Sequence, residues 1–245
     1  MARALVTIPQ SSKDAPHVFG LFDDFLWERD ELWTDTADAG GSDTIVADGV
    51  GGELLLKCDG DDNDEVYRNS KESFLIAADK PIVATIRLKH TEANTDDANV
   101  IFGLGDAAGA NALVDNGGGV YAATSFYGFY KIDGETRWRV RTDDNATVTD
   151  TETDVTAGGG TYQTLRIEIN PKSSTESEVI FSIDDAGGNN FEQCREQGAN
   201  PRTPNIKKTV NYSATTGMAV FFGIKSGGAN EEDLFVDYVE VLQAR

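Results

Sequence analysis

Histidine and cysteine are the scarcest reactive residues here: His17 and His90, and Cys58 and Cys194, in 245 residues. Two distant cysteines make no disulfide framework and have no metal-ligand spacing, so they read as buried thiols. Two histidines, with no nucleophile elbow nearby, leave a Ser-His-Asp relay without support. Basic residues number 21 against 42 acidic ones, a formal charge of −21. Such a field repels phosphate backbones and anionic lipid, so neither nucleic acid nor a membrane surface is an expected partner. No apolar run nears the ~20 residues that a membrane-crossing helix needs. The opening MARALVTIPQSSKDAPHVFG has one arginine and a brief apolar patch, which is not the pattern of a secretory signal. GLGDAAG at 103–109 spaces its glycines as GxGxxxG outside any βαβ unit, which excludes a dinucleotide fingerprint.

What the chain does have is aromatic mass, with twelve Phe, seven Tyr and three Trp. Apolar alternation recurs between loops rich in Gly, Asn and Asp. Strands are expected at 53–57, 82–89, 99–105, 120–132, 136–142, 146–156, 162–169, 178–184, 218–226 and 234–243. Helical periodicity is scarce, with at most a turn or two at 23–33 and a weaker stretch at 106–115. Short strands at near-regular spacing, without a repeat, indicate an all-β sandwich of two antiparallel sheets. Residues 1–18, with Pro9 and Pro16, read as an extended arm, and 19–245 as one domain. With DDNA (143–146) as a turn, Arg139 would face Asp150 and Arg137 would face Glu152. Cross-strand pairing then explains the arginine row, at about 0.2–1 kcal/mol per pair. In DGDDNDE (59–65), Asp59, Asp61 and Asn63 match three positions of a calcium loop. Asp64 stands where glycine is required and Ser70 where glutamate is, so an acidic surface loop is expected.

The chain closes on LFVDYVEVLQ (234–243), where strict alternation places Asp237 in a row with Phe235, Val239 and Val241. This stretch resembles the last strand of the concanavalin A-like lectin/glucanase superfamily. FDDF (22–25), GVGGELLLK (49–57), YQTLRIEI, VIFSID and MAVFFGIKS resemble its other strands, in order. The resemblance implies a jelly-roll sandwich over roughly 20–243, with first and last segments side by side. It also implies a structural calcium with Asp237 as a ligand; the plainer reading pairs Asp237 with an arginine or a backbone amide.

Glucanases of that superfamily carry an E-x-D-x-E strand whose acids share one face. This chain has none. Its nearest approach, Asp150, Glu152 and Asp154, lies opposite the arginines. Lyases on the scaffold use a Tyr/His or related pair near Arg and Gln, and histidine is scarce. No enzymatic activity is expected. An export-type fold without an export signal points to a virion component, made in the host cytoplasm. The expected role is capsid decoration or cementing in a bacteriophage, with capsid proteins and further copies of the chain as partners. The alternative is an extracellular lectin or carbohydrate-binding module, with Tyr121, Tyr127 and Phe129 as an aromatic row for a glycan. A polysaccharide hydrolase or lyase is the third reading.

Overall fold

Alternating side chains give each strand one apolar face, and two such faces turned toward each other make the core of this protein. The computed structural model describes residues 18–245, apart from 48, 72–73, 93–96, 107, 122–124, 145–146, 186, 188–189, 199–204 and 213–216. The expected arm, up to His17, lies outside the described residues. In chain order the strands are β1 (Val18–Asp23), β2 (Trp33–Ala37), β3 (Gly41–Ile45), β4 (Leu54–Asp59), β5 (Glu65–Ser70), β6 (Ile82–Glu92), β7 (Ala98–Gly105), β8 (Leu113–Val114), β9 (Gly119–Val120), β10 (Phe126–Lys131), β11 (Arg137–Asp143), β12 (Val148–Thr156), β13 (Gln163–Pro171), β14 (Glu176–Asp184), β15 (Glu192–Gln193), β16 (Lys207–Asn211), β17 (Ala219–Ser226) and β18 (Glu231–Ala244). No helix occurs among the described residues.

Two large antiparallel sheets stack. The nine-stranded sheet runs β15-β14-β13-β6-β18-β4-β3, with β1 also on β18 and β16 on β14. The seven-stranded sheet runs β12-β11-β10-β7-β17-β5-β2, and β8 and β9 form a small hairpin. The closing strand β18 is central, with β6 along one side and β4, then β1, along the other. Val18 pairs with Ala244, so first and last segments do lie side by side. Ile82, Ala84, Ile86 and Leu88 of β6 face Val100, Phe102 and Leu104 of β7 across a fully buried core. Edge-to-face ring pairs fill it: Phe129–Phe181 at 5.4 Å and Trp33–Phe222 at 5.4 Å between centroids.

A bulge in β18 corrects the strict alternation expected there. The register against β6 shifts between Val236 and Tyr238, which makes Asp237 the extra residue. Leu234, Val236, Val239 and Val241 all face the core as a result, and Asp237 stands in no apolar row. The strand expected over 120–132 is likewise two elements, since Gly119–Val120 pairs with Leu113–Val114 and the sheet strand starts only at Phe126.

Candidate functional site

Residues that alternate away from the core on the seven-stranded sheet form its outer face. Glu65, Tyr67 and Asn69 come from β5, Phe221, Gly223 and Lys225 from β17, and Ile101 and Gly103 from β7. Phe126, Gly128 and Tyr130 come from β10. Three of these positions are glycines, and the reason is steric. A Cβ on Gly103 or Gly128 would stand 2.3 Å from the Phe126 ring, and one on Gly223 2.2 Å from the Tyr67 ring. Without side chains there, both rings lie against the sheet.

The chain's own segment 108–121 covers this layer. Ala108, Ala112, Leu113 and Val120 pack on Tyr67, Ile101, Phe126, Tyr130 and Phe221, forming a second core outside the sandwich. Buried polar groups hold the strap down. The Asn69 amide donates to the Ala108 carbonyl at 2.9 Å and accepts from the Ala108 N–H at 2.6 Å. Glu65 accepts from the Asn111 N–H at 2.7 Å and from the Tyr67 hydroxyl at 3.1 Å. That hydroxyl accepts from the Leu113 N–H at 3.2 Å. The Lys225 ammonium sits 3.3 Å from Glu65, donates to the Asn111 side chain at 2.7 Å and pairs with Asp115. Arg141 donates to the Val120 carbonyl at 3.2 Å. Burial and the neighbouring Glu65 push the Tyr67 phenol well above its ordinary range, so it stays a neutral donor.

The proposed glycan row does not assemble. Tyr127 and Phe129 point into the core between the sheets, with no ring face open to a sugar. Tyr121 is exposed where the small hairpin ends, away from that row. The ring pair that does face outward is Phe126 and Tyr130, and the strap covers both. The arginine hairpin is displaced from its expected register by two residues: Arg139 faces Glu152 and Arg141 faces Asp150. Arg137 faces Thr156 beyond an irregularity. Arg141 pairs with Asp143 at 2.9 Å and lies 3.5 Å from Asp150, so these acids sit against cations. Two surface hollows, of about 430 and 380 Å³, lie elsewhere, the first by Asn170, Pro171 and Ile180, the second by Asp154, Asp184 and Gln193.

Asp237 does not fit a calcium ligand. Its carboxylate pairs with the Arg87 guanidinium, which lies 4.2 Å above the Tyr162 ring. Positive charge thus already stands where a cation would bind. Carboxylates do gather at Asp59, Asp61 and Asp64, whose oxygens lie within 4.8 Å of one another. Sequence matching paired Asp59 and Asp61 with Asn63, but the fold brings in Asp64 instead. Asp64 is buried, and its carboxyl is raised to about 6, first by loss of solvent and next by a hydrogen bond with Asp59. Burial raises the carboxyls of Asp35, Asp133, Asp233 and Glu240 as well. A carboxyl held higher in the folded state binds protons preferentially there, so its stabilising effect is complete below about pH 4 and lost as pH rises through about 6. Thermal unfolding should therefore show a melting temperature that rises from pH 7 to pH 5. Asp64→Asn should raise it at pH 7 and flatten that slope; an unchanged slope would count against the shared proton.

No family model matches the sequence, and no curated protein does either. Solved structures do match the fold. Peanut lectin superposes with a TM-score of 0.58 at 10% identity, covering 92% of this chain and 97% of its own. The potassium-bound carbohydrate recognition domain of Emp46p gives 0.57 at 11% identity, covering 89% and 94%. The fold is the concanavalin A-like, lectin-like jelly roll. An endo-β-1,4-glucuronan lyase from the fungus Trichoderma reesei shares it, with a TM-score of 0.55 at 10% identity over 90% of this chain and 94% of the lyase. The lectin-like sandwich thus stands near sugar binders and a sugar-cleaving enzyme alike, and at such identities the likeness speaks for fold alone.

Proposed function

We propose that this lectin-like sandwich is a non-catalytic structural protein that docks on a larger assembly. The assembly best matching the sequence reading is a bacteriophage capsid, which the chain would decorate after synthesis in the host cytoplasm. The observation that carries the non-catalytic part is the strap. The outer face of the seven-stranded sheet is filled by segment 108–121, and its acids Glu65 and Asp143 are neutralised by Lys225 and Arg141. A hydrolase or lyase working on that face needs open acids or bases beside a groove. Incubation with a panel of neutral and uronic polysaccharides should release neither reducing ends nor unsaturated products. The chain should co-sediment with assembled capsids. Turnover on any polymer, or failure to associate with capsids, would end this reading.

Carbohydrate binding is the second reading, favoured by the sugar-binding proteins that share the fold and by the exposed Tyr121 ring. Glycan-array retention that a Tyr121→Ala variant loses would favour it over docking.

A further inference from the structure

Exposed apolar bulk gathers at one rim of the sandwich. Phe22 is 51% exposed, Leu26 51%, Trp27 57% and Val50 fully so. Leu26 and Trp27 lie in the loop between β1 and β2, Phe22 at the end of β1, and Val50 in the loop between β3 and β4.

This exposure is built by a rigid foundation. Phe25 has a φ of 51°, a left-handed backbone that a bulky residue adopts only under constraint. Its ring is buried against Trp33 and Phe222, each 6.1 Å away, and this turns the next two side chains outward. Buried Asp23 fixes the loop by accepting from the Phe25 N–H at 3.0 Å and the Trp33 indole at 2.6 Å. Arg29 stands 4.8 Å over the Trp27 ring and donates to the Phe22 carbonyl at 3.2 Å. The second loop locks against the first at Gly52, whose φ is 89°. A Cβ there would lie 2.0 Å from the Asp24 carbonyl and 2.8 Å from the Leu26 nitrogen. Two loops thus present one apolar ridge.

Charge decides what can cover it. The stretch DDFLWERDE (23–31) holds five acids and one arginine. Asp23 is buried, Glu28 pairs with Arg68 and Arg29 is engaged within the loop, so Asp24, Asp30 and Glu31 carry its outward negative charge. A second copy would bring the same three acids toward the first, between chains of −21 each. Anionic lipid is repelled for the same reason. Leu26, next to the tryptophan in sequence, and Val50, on the loop that Gly52 locks against it, add aliphatic bulk that suits an apolar socket better than a flat sugar ring.

We propose that the Phe22–Leu26–Trp27–Val50 ridge is a docking knob for a protein surface that offers an apolar socket bordered by lysine and arginine. It deepens the docking reading above by naming the contact, and the two can fail separately. The probe is a random dodecapeptide display library, panned on the full chain and counter-screened on Trp27→Ala and Val50→Asp variants. Both positions are exposed, and unchanged melting temperatures will confirm that the variants fold.

The expected result is enrichment of peptides that combine Lys or Arg with Leu, Ile or Phe. Their affinity should fall at least tenfold in either variant and should weaken as salt is raised. Any of four results would overturn the proposal: no enrichment, enriched peptides lacking basic residues, binding indifferent to both substitutions, or Trp27-dependent retention of glycans instead. A concentration-dependent dimer lost in Trp27→Ala would overturn it in favour of self-association. Capsid binding that survives both substitutions would sink the knob and leave the structural role intact. Knob-dependent peptide binding without capsid binding would do the reverse.

Discussion

Glu65→Ala should release the strap from the outer face of the seven-stranded sheet. Glu65 is the one side chain that meets the Asn111 N–H, the Tyr67 hydroxyl and the Lys225 ammonium together. Removing it leaves Lys225, which is 1% exposed, with a buried charge matched, among the described residues, by Asp115 and the Asn111 amide. Truncating one partner of a buried pair costs about 3–5 kcal/mol. For a chain of this size that lowers the melting temperature by roughly 10 °C. The amides of Asn111 and Leu113 should then exchange hydrogen much faster, and a hydrophobic dye should bind the bared rings of Tyr67, Phe126 and Phe221. Glu65→Gln keeps an acceptor for Asn111 and should fall between. Protection at Asn111 and Leu113 unchanged in the alanine variant would mean that packing alone holds the strap.

The second large effect belongs to Arg68→Met. Arg68 is buried at the open edge of the sandwich, where one guanidinium meets Asp35 at 2.8 Å, Glu28 at 2.7 Å and Asp43. Asp35 lies on β2 of one sheet and Asp43 on β3 of the other, so this residue ties the two edges together. Methionine fills similar space without the charge, and three carboxylates are left to repel each other. The cost at pH 7 should be about 3 kcal/mol, the lower end for a broken buried pair, because the three carboxylates remain partly solvated. Burial already raises the Asp35 carboxyl, and Arg68 opposes that shift. Without Arg68 the Asp35 carboxyl rises further in the folded state, so its protonation favours the folded form and the deficit should shrink toward pH 4. Urea unfolding at pH 4 and pH 7 reads this directly. An equal loss at both would make the contribution one of packing.

Much of the fold was legible because its cause is local. The runs that became β6, β7, β13, β14 and β17 carry apolar residues at every second position, most of them β-branched or aromatic, a pattern that favours strands. The unbroken burial of Glu65–Ser70 was harder to see, since Arg68 and Asn69 look like surface residues until partners from β2, β3 and the strap surround them. The candidate site was legible only in part. A clue lay in Gly103, Gly128 and Gly223, glycines inside otherwise apolar strands, which mark a close approach by another group. Nothing in their spacing says that the group is an aromatic ring, nor that segment 108–121 lies over it. Asp237 misled because a bulge has no sequence signature: one extra residue reverses every facing beyond it.

By itself, the sequence determined the class of this protein: paired antiparallel sheets and an acidic surface. These depend on composition and on the two-residue repeat, which each segment carries alone. Register, the bulge at Asp237, the partners of Arg68 and Glu65, and the closed outer face were decided only by tertiary structure. Each joins residues far apart along the chain, and their energy exists only once the sheets have stacked.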